Sequence, residues 1–225
     1  MKKIYLLAIA AVLTSVSFGQ VKWGGQITGN LSSAKLGGDG ASLFKSKAIV
    51  GFGVGVVSDV TLSEKLSLRS SLNLLQKGVE LKSAFEEESG DIEFPSVTLT
   101  NKLFYAELPV TLTYNIGSSN GKFFFGAGPS LGYGLFGKAK VTTSDPFNPG
   151  EKETESFDAF KKEEKGGAGY KRFDLSANAI AGFQWNSGLY VNAGYLLGLS
   201  NLASGAEDGQ SVKNRGLQLT VGKFL

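Results

Sequence analysis

The sequence contains no cysteine and no histidine among its 225 residues. Without cysteine the chain can form no disulfide, has no thiol chemistry and lacks the acylation site of lipoproteins. Without histidine it cannot assemble a Ser-His-Asp triad, although Gly128-Pro129-Ser130-Leu131-Gly132 matches the G-x-S-x-G pattern of serine hydrolases. The same absence removes histidine-dependent lipid-deacylating barrels and most zinc sites. We therefore expect no catalytic residues, no cofactor and no metal.

Long apolar runs are missing after the first twenty residues, which excludes helical membrane spans. At the start of the chain, Lys2 and Lys3 precede an apolar segment at residues 4–13 and small residues up to Gly19. This pattern predicts a cleaved signal peptide over residues 1–19 and a single domain over residues 20–225. Removing the two lysines lowers the formal net charge from +3 to +1, so no basic field points to nucleic acid.

Alternating apolar and polar residues dominate the rest of the chain, most clearly at residues 173–185. The odd positions there run from Phe173 to Trp185 and are apolar, whereas the even positions are mostly polar or small. The alternation resumes at residues 189–199 after the turn signal Asn186-Ser187-Gly188, which predicts a β-hairpin. A face of small residues suits the crowded inside of a closed barrel, and an uncharged apolar face suits lipid.

Eight segments show this alternation, and the connections between them are short and long in turn. Short connections at 63–65, 117–121 and 186–188 alternate with long polar ones at 32–47, 83–100, 139–170 and 200–213. Outer-membrane barrels have short periplasmic turns and long extracellular loops. We therefore predict an all-β fold, a single closed antiparallel eight-stranded transmembrane β-barrel of the cell outer membrane. The predicted strands are 22–31, 48–62, 66–74, 102–115, 122–138, 173–185, 189–199 and 214–225.

Aromatic residues occur where this barrel would meet the membrane interfaces. The periplasmic girdle is predicted beside the short turns, and further aromatics fall towards the opposite rim. The girdle residues are Trp185, Tyr114, Phe123 and Tyr190, and those of the opposite rim are Tyr105 and Tyr133.

Four short motifs carry a resemblance to a known family. They are Ala106-Glu107-Leu108-Pro109 with the strand after it, Phe125-Gly126-Ala127-Gly128-Pro129, Arg172-Phe173-Asp174-Leu175-Ser176-Ala177-Asn178, and Gly198-Leu199-Ser200-Asn201. The chain thereby resembles the PorT-like outer-membrane β-barrel proteins of diderm bacteria, often called the porin family. The resemblance covers essentially the mature chain and implies a barrel with a role in envelope integrity or protein secretion. Such barrels usually end on an outward aromatic, whereas here Leu225 holds that position and Phe224 faces inward.

Charged residues in the middle of predicted strands are the candidate site residues. Arg69 and Glu107 both fall on polar faces, and an arginine on the lipid face would cost about 2 to 4 kcal/mol. We predict that they form a structural ion pair in the lumen, with Lys77 and Asp174 as further members. The alternative is a lumen network that lines a path, but an eight-stranded barrel is only wide enough for side chains to fill.

The long loops and one glycine motif carry weaker signals. The acidic residues of the second loop match no EF-hand and are interpreted as a solvated loop. Residues 151–165 are rich in good helix formers and predict a short helix in the third loop. Residues 132–137 match G-x-G-x-x-G but lie within a strand, so their glycines are interpreted as small lumen residues rather than a nucleotide site. The acidic residues are Glu86, Glu87, Glu88, Asp91 and Glu93.

These features together predict a non-enzymatic outer-membrane protein whose long loops make the outside contacts. The expected partners are outer-membrane lipid and lipopolysaccharide, the barrel assembly machinery, and proteins bound through the extracellular loops, with no nucleic acid. One alternative is a small-solute, porin-like channel, which a filled lumen would oppose. A further alternative is a lipocalin-like barrel for an apolar ligand, which would need the apolar faces inside.

Overall fold

The computed structural model describes residues 21–38, 41–83, 96–144, 151–204 and 210–225, and most of them lie in β-strands. Among these residues no helix is long and apolar enough to cross a membrane. The strands are β1 (Val21–Gly37), β2 (Phe44–Lys47), β3 (Ile49–Thr61), β4 (Leu66–Ser83), β5 (Ser96–Ser118), β6 (Gly121–Ser144), β7 (Lys152–Asp158), β8 (Phe173–Trp185), β9 (Leu189–Gly198) and β10 (Ser211–Phe224).

Eight of these strands form one closed antiparallel ring. The order is β1, β3, β4, β5, β6, β8, β9, β10 and back to β1. The ring is closed by β1 and β10, which pair from Gly24 opposite Phe224 to Gly37 opposite Ser211. Because each ring strand has a neighbour on both sides, its backbone groups are hydrogen-bonded without water, as the bilayer core requires. The predicted closed eight-stranded barrel is confirmed.

The two faces of the ring differ as lipid on the outside demands. Large apolar side chains such as Val50, Phe52 and Leu219 are exposed on the outer face, whereas polar side chains such as Thr113 and Ser130 are buried inside. A lipocalin-like barrel needs the reverse arrangement, so this structure excludes that alternative. The alternation also holds at the C-terminus, where Phe224 is 4% exposed and Leu225 is 99% exposed.

The strands are longer than predicted at the end of the barrel that carries the long connections. There β4 continues to Ser83 and β6 to Ser144, and two short strands are added outside the ring, β2 on β4 and β7 on β6. The predicted helix at 151–165 is wrong, because β7 takes up residues 152–158 and pairs with β6, and only a 3-10 turn at Glu163–Lys165 is helical. Pairing with a strand that is already in place overrides a weak local helix propensity.

The outer edge of β7 stands free of the ring. This strand pairs with β6 from Ser144 opposite Lys152 to Lys138 opposite Asp158, and within the described ranges its other edge makes only a single bridge, from Asp158 to Gly167. The upper parts of β5, β6 and β7 therefore form a sheet that projects beyond the ring. The predicted signal peptide at 1–19 and the acidic loop residues from Glu86 to Glu93 lie outside the described residues.

Because the native chain lacks cysteine, one introduced cysteine can report which end of the barrel faces outward. Lys161 follows β7 at the long-connection end, Ser187 lies in the β8–β9 turn, and both are exposed. We expect Lys161→Cys to react with a membrane-impermeant maleimide in intact cells, and Ser187→Cys to react only after permeabilisation. The cysteine-free parent is the control, and the reverse labelling pattern would show that the topology is inverted.

Candidate functional site

An arginine layer crosses the lumen near the short-turn end of the barrel. Arg69 on β4 donates from Nε to Oδ2 of Asp59 on β3 at 2.9 Å, and its Nη2 lies 2.8 Å from the same oxygen. Nη2 also donates to Oε1 of Gln184 on β8 at 3.1 Å. The Arg69 and Asp59 side chains are only 6% and 4% exposed, so each charge depends on the other for compensation.

Three aromatic rings surround the Arg69 guanidinium. Its Cζ lies 4.1 Å from the ring centre of Phe124, 5.1 Å from that of Tyr190 and 5.2 Å from that of Phe224. A cation over aromatic faces is stabilised most where water is excluded, as it is here. The expectation that Tyr190 belongs to the periplasmic girdle is wrong, because this residue is fully buried in the lumen. Trp185 and Phe123 are exposed on the outer face, where the girdle was predicted.

A second charged layer lies closer to the long-connection end of the lumen and is centred on Lys77 of β4. Its Nζ is 3.1 Å from Oε2 of Glu107 on β5 and 3.3 Å from Oδ2 of Asp174 on β8. The three side chains are almost completely buried. Both carboxylates also accept hydrogen bonds from neutral donors. Ser130 donates to Glu107 at 2.7 Å, and Asn214 donates to Asp174 at 2.8 Å.

Strand register explains how this second layer is assembled. Gly132 on β6 lies opposite Glu107 on one side and opposite Asp174 on the other, so the two carboxylates flank a residue without a side chain. A Cβ on Gly132 would come within 3.3 Å of Asp174 and Tyr105, so a larger residue would crowd this row. The ring of Tyr105 is 5.1 Å from Lys77 Nζ. Tyr105 is therefore a lumen residue, and its expected place at the membrane rim is wrong.

The pairing of Arg69 with Glu107 that the sequence suggested does not occur. Thr111 lies opposite Arg69 and Asn73 lies opposite Glu107 in the β4–β5 register. The four-residue offset separates the two charged residues by about 13 Å along the strand. Arg69 therefore pairs with Asp59 and Glu107 pairs with Lys77, so the charges are divided between two layers.

Between the two layers lies a small polar cavity. Its volume is about 50 Å³, and its lining includes Arg69, Glu107, Thr111, Asn178 and Asn192. A space of this size holds a few water molecules, since one water needs roughly 10 to 15 Å³. This cavity therefore has room for hydration of the charges but not for a larger solute.

The connection from β7 to β8 folds into the mouth of the barrel. The Phe160 ring packs edge-on against Tyr105 with centroids 5.8 Å apart, and it occupies the space over Gly134, where a Cβ would collide with it. The Arg172 guanidinium lies over the Phe160 ring, with Cζ 4.9 Å from the ring centre. Gly132 and Gly134 are thus small for packing reasons, as the interpretation of the glycine motif proposed. Phe160 therefore covers this part of the lumen at the long-connection end.

Hydrogen bonds fix this cover. Oδ1 of Asp158 accepts from the backbone N–H groups of Phe160 and Lys161 at 2.9 and 3.1 Å. The backbone N–H of Ala159 donates to the Gly137 carbonyl at 3.1 Å. Burial raises the pKa of the Tyr170 phenol, an effect opposed by the hydrogen bond that its oxygen accepts from Asn101 at 2.7 Å.

The charged side chains of this interior compensate one another. Across the residues the structure describes, no group of three His, Cys, Asp or Glu side chains could hold a metal ion. The buried carboxylates are compensated by Arg69 or Lys77 and by hydrogen bonds. This arrangement suits a lumen that is filled by fixed side chains.

Comparison with known proteins agrees with this geometry. The family model described as "Outer membrane protein beta-barrel domain" matches residues 16–204, which is most of the chain. The chain belongs to this outer-membrane β-barrel family. It is accordingly a protein of the cell outer membrane, in contact with its lipid. No curated protein matches the chain.

Several solved outer-membrane proteins are similar to this β-barrel family member at low identity. Ail, the attachment invasion locus protein of Yersinia pestis, is 17% identical, with a TM-score of 0.39 and coverage of 92% of this chain and 99% of Ail. Neisserial surface protein A is 11% identical, with a TM-score of 0.41 and coverage of 92% and 99%. OprG from Pseudomonas aeruginosa is 14% identical, with a TM-score of 0.38 and coverage of 92% and 96%.

The arginine layer predicts strong coupling between Arg69 and Asp59. Either single alanine variant should lower the free energy of unfolding by up to about 3 to 5 kcal/mol, because it leaves the other charge buried without a partner. The double variant should lose much less than the sum of the two. Urea unfolding of the refolded barrel, followed by tryptophan fluorescence, measures the cycle.

The matched control is the cycle for Arg69 and Glu107, which lie in different layers. Its coupling energy should be clearly the smaller of the two. A larger coupling for Arg69 with Glu107 than with Asp59 would show that the layers are assigned wrongly.

Proposed function

We propose that this protein is a non-enzymatic structural and surface-contact protein of the outer membrane rather than a solute channel. The observation that carries the proposal is the filled lumen. The arginine layer obstructs the short-turn end, the Lys77 cluster obstructs the middle, and Phe160 covers the opposite mouth. The small cavity between the layers has room for water around the charges but is too small for the passage of solutes.

The surface that remains for function lies at the long-connection end. In an outer-membrane barrel this end faces the outside, and the projecting parts of β5, β6 and β7 extend into that space. The exposed side chains of β7 are one basic residue, Lys152, followed by acidic and hydroxyl groups as far as Asp158. A sheet that projects beyond the ring with exposed polar side chains is suited to protein contacts outside the membrane.

The resemblance to PorT-like proteins gives this proposal its finer form. We propose that the chain is a PorT-like barrel that contributes to envelope integrity or protein secretion. Residues 1–19 act as its signal peptide, and the barrel assembly machinery inserts it.

A closed lumen is directly measurable. We expect the purified wild-type barrel to give no stable ion conductance in planar bilayers, because three separate layers of side chains obstruct it. Phe160→Ala should also remain closed, since the Arg69 and Lys77 layers are unchanged. An open porin inserted into the same bilayers is the positive control, and stable conductance by the wild-type barrel would favour the small-solute channel instead.

Surface contact is tested by site-specific photocrosslinking in intact cells. A photoreactive residue at Glu153 of β7 should give discrete protein adducts, because this side chain is exposed on the projecting sheet. The same residue at Leu219, which is exposed on the lipid face of β10, is the matched control and should give none. Equal adducts at both positions, or none at Glu153, would contradict a role in surface contacts.

A further inference from the structure

A basic patch lies on the outward face of the β5–β6–β7 sheet. It lines a groove of about 820 Å³. We define the patch by six polar side chains on the three strands, namely Thr100, Lys102, Lys138, Lys140, Thr142 and Ser156. All three lysines are exposed. Such a surface offers three ammonium groups and three hydroxyls to one occupant.

Register concentrates positive charge in this patch. Lys102 lies directly opposite Lys138, and Lys140 lies between Thr100 and Ser156. Like charges directly opposite one another destabilise a sheet. None of the three lysines makes an ion pair with any residue that the structure describes. An anion bound across the patch would relieve this repulsion.

The acidic residues of β7 offset only part of the charge of the patch. Asp158 lines the same groove opposite Lys138 and offsets one of the three positive charges, while its Oδ1 accepts hydrogen bonds from the backbone N–H groups of Phe160 and Lys161. Glu153 and Glu155 pair with Thr143 and Val141, so they alternate onto the other face of the sheet. The outward face therefore keeps a net positive charge.

The position of the patch relative to the membrane interface indicates which kind of anion it would bind. Phe104 and Phe136 stack on the outer surface with ring centroids 4.7 Å apart, and below them lie exposed apolar side chains such as Leu131 and Leu108. Aromatic residues mark the membrane interface. Lys102 is two residues beyond Phe104, about 7 Å further along the strand. The lysines are thus at the level of the lipid headgroups of the outer leaflet.

We propose that the basic patch binds the phosphate groups of a phosphorylated glycolipid of the outer leaflet, the lipid A part of lipopolysaccharide. The lysines face the phosphates, the hydroxyls of Thr100, Thr142 and Ser156 face the sugar, and the rings of Phe104 and Phe136 contact the start of the acyl chains. This inference depends on the proposed orientation, in which the long-connection end faces outward. The protein would then hold a lipid A molecule at a defined place in the surrounding leaflet.

The test compares binding of bisphosphorylated and dephosphorylated lipid A to the full chain in detergent micelles, measured by native mass spectrometry. Each lysine near an anionic lipid surface contributes about a fivefold gain in affinity, so Lys102→Gln/Lys138→Gln/Lys140→Gln should bind the bisphosphorylated form about a hundredfold more weakly. The matched control removes three exposed lysines at the short-turn end, Lys22, Lys65 and Lys223, and should bind as the wild type does.

Folding is checked independently by the faster gel migration of the unheated barrel. If the triple variant fails to fold, Lys138→Gln alone should bind about fivefold more weakly. Unchanged affinity of the variants, or equal wild-type affinity for dephosphorylated lipid A, would overturn the proposal and leave an acidic protein as the occupant of the patch. Conductance by the wild type would overturn the proposed function without affecting this lipid measurement.

Discussion

The pairing of β1 with β10 is the constraint on which the whole barrel depends. A sheet with free edges would expose unpaired backbone groups to hydrocarbon, and each of these groups would cost several kcal/mol. Pairing of Gly24 with Phe224 and of Gly37 with Ser211 joins the two ends of the chain and removes those edges. Once the ring is closed, its small circumference leaves a narrow interior, and the side chains that point inward must fill it.

Filling a narrow polar interior is mainly a matter of charge compensation. Asp59 and Arg69 neutralise each other directly, whereas Lys77 is shared by Glu107 and Asp174. The second cluster therefore depends on neutral hydroxyl and amide donors to stabilise the excess negative charge. The result is a pair of fixed layers that hold strands from different parts of the ring together through their side chains.

The alternation of residues was sufficient to predict the ring, because lipid requires apolar side chains outside whatever their neighbours are. Asp59 could also have been paired with Arg69 by counting across the short turn between β3 and β4, since hairpin register is set locally. The sequence also pointed to Lys77, Glu107 and Asp174 as lumen charges, but not to their grouping apart from Arg69, because this cluster joins three strands through contacts up to 97 residues apart. The strand β7 was missed because its residues are nearly all polar and exposed, so they leave no periodic apolar signal.

The open edge of β7 could pair with other β-sheets in a membrane crowded with barrels. Barrels diffuse in two dimensions beside copies of themselves, and an unpaired strand held at a common height is a template for sheet-to-sheet association. Four of the seven residues in KETESFD are charged, namely Lys152, Glu153, Glu155 and Asp158. Charges on an edge strand make the fusion of two sheets unfavourable, because pairing would desolvate them. The polar residues that leave β7 without an apolar pattern in the sequence are thus also the residues that keep its edge from pairing with another copy.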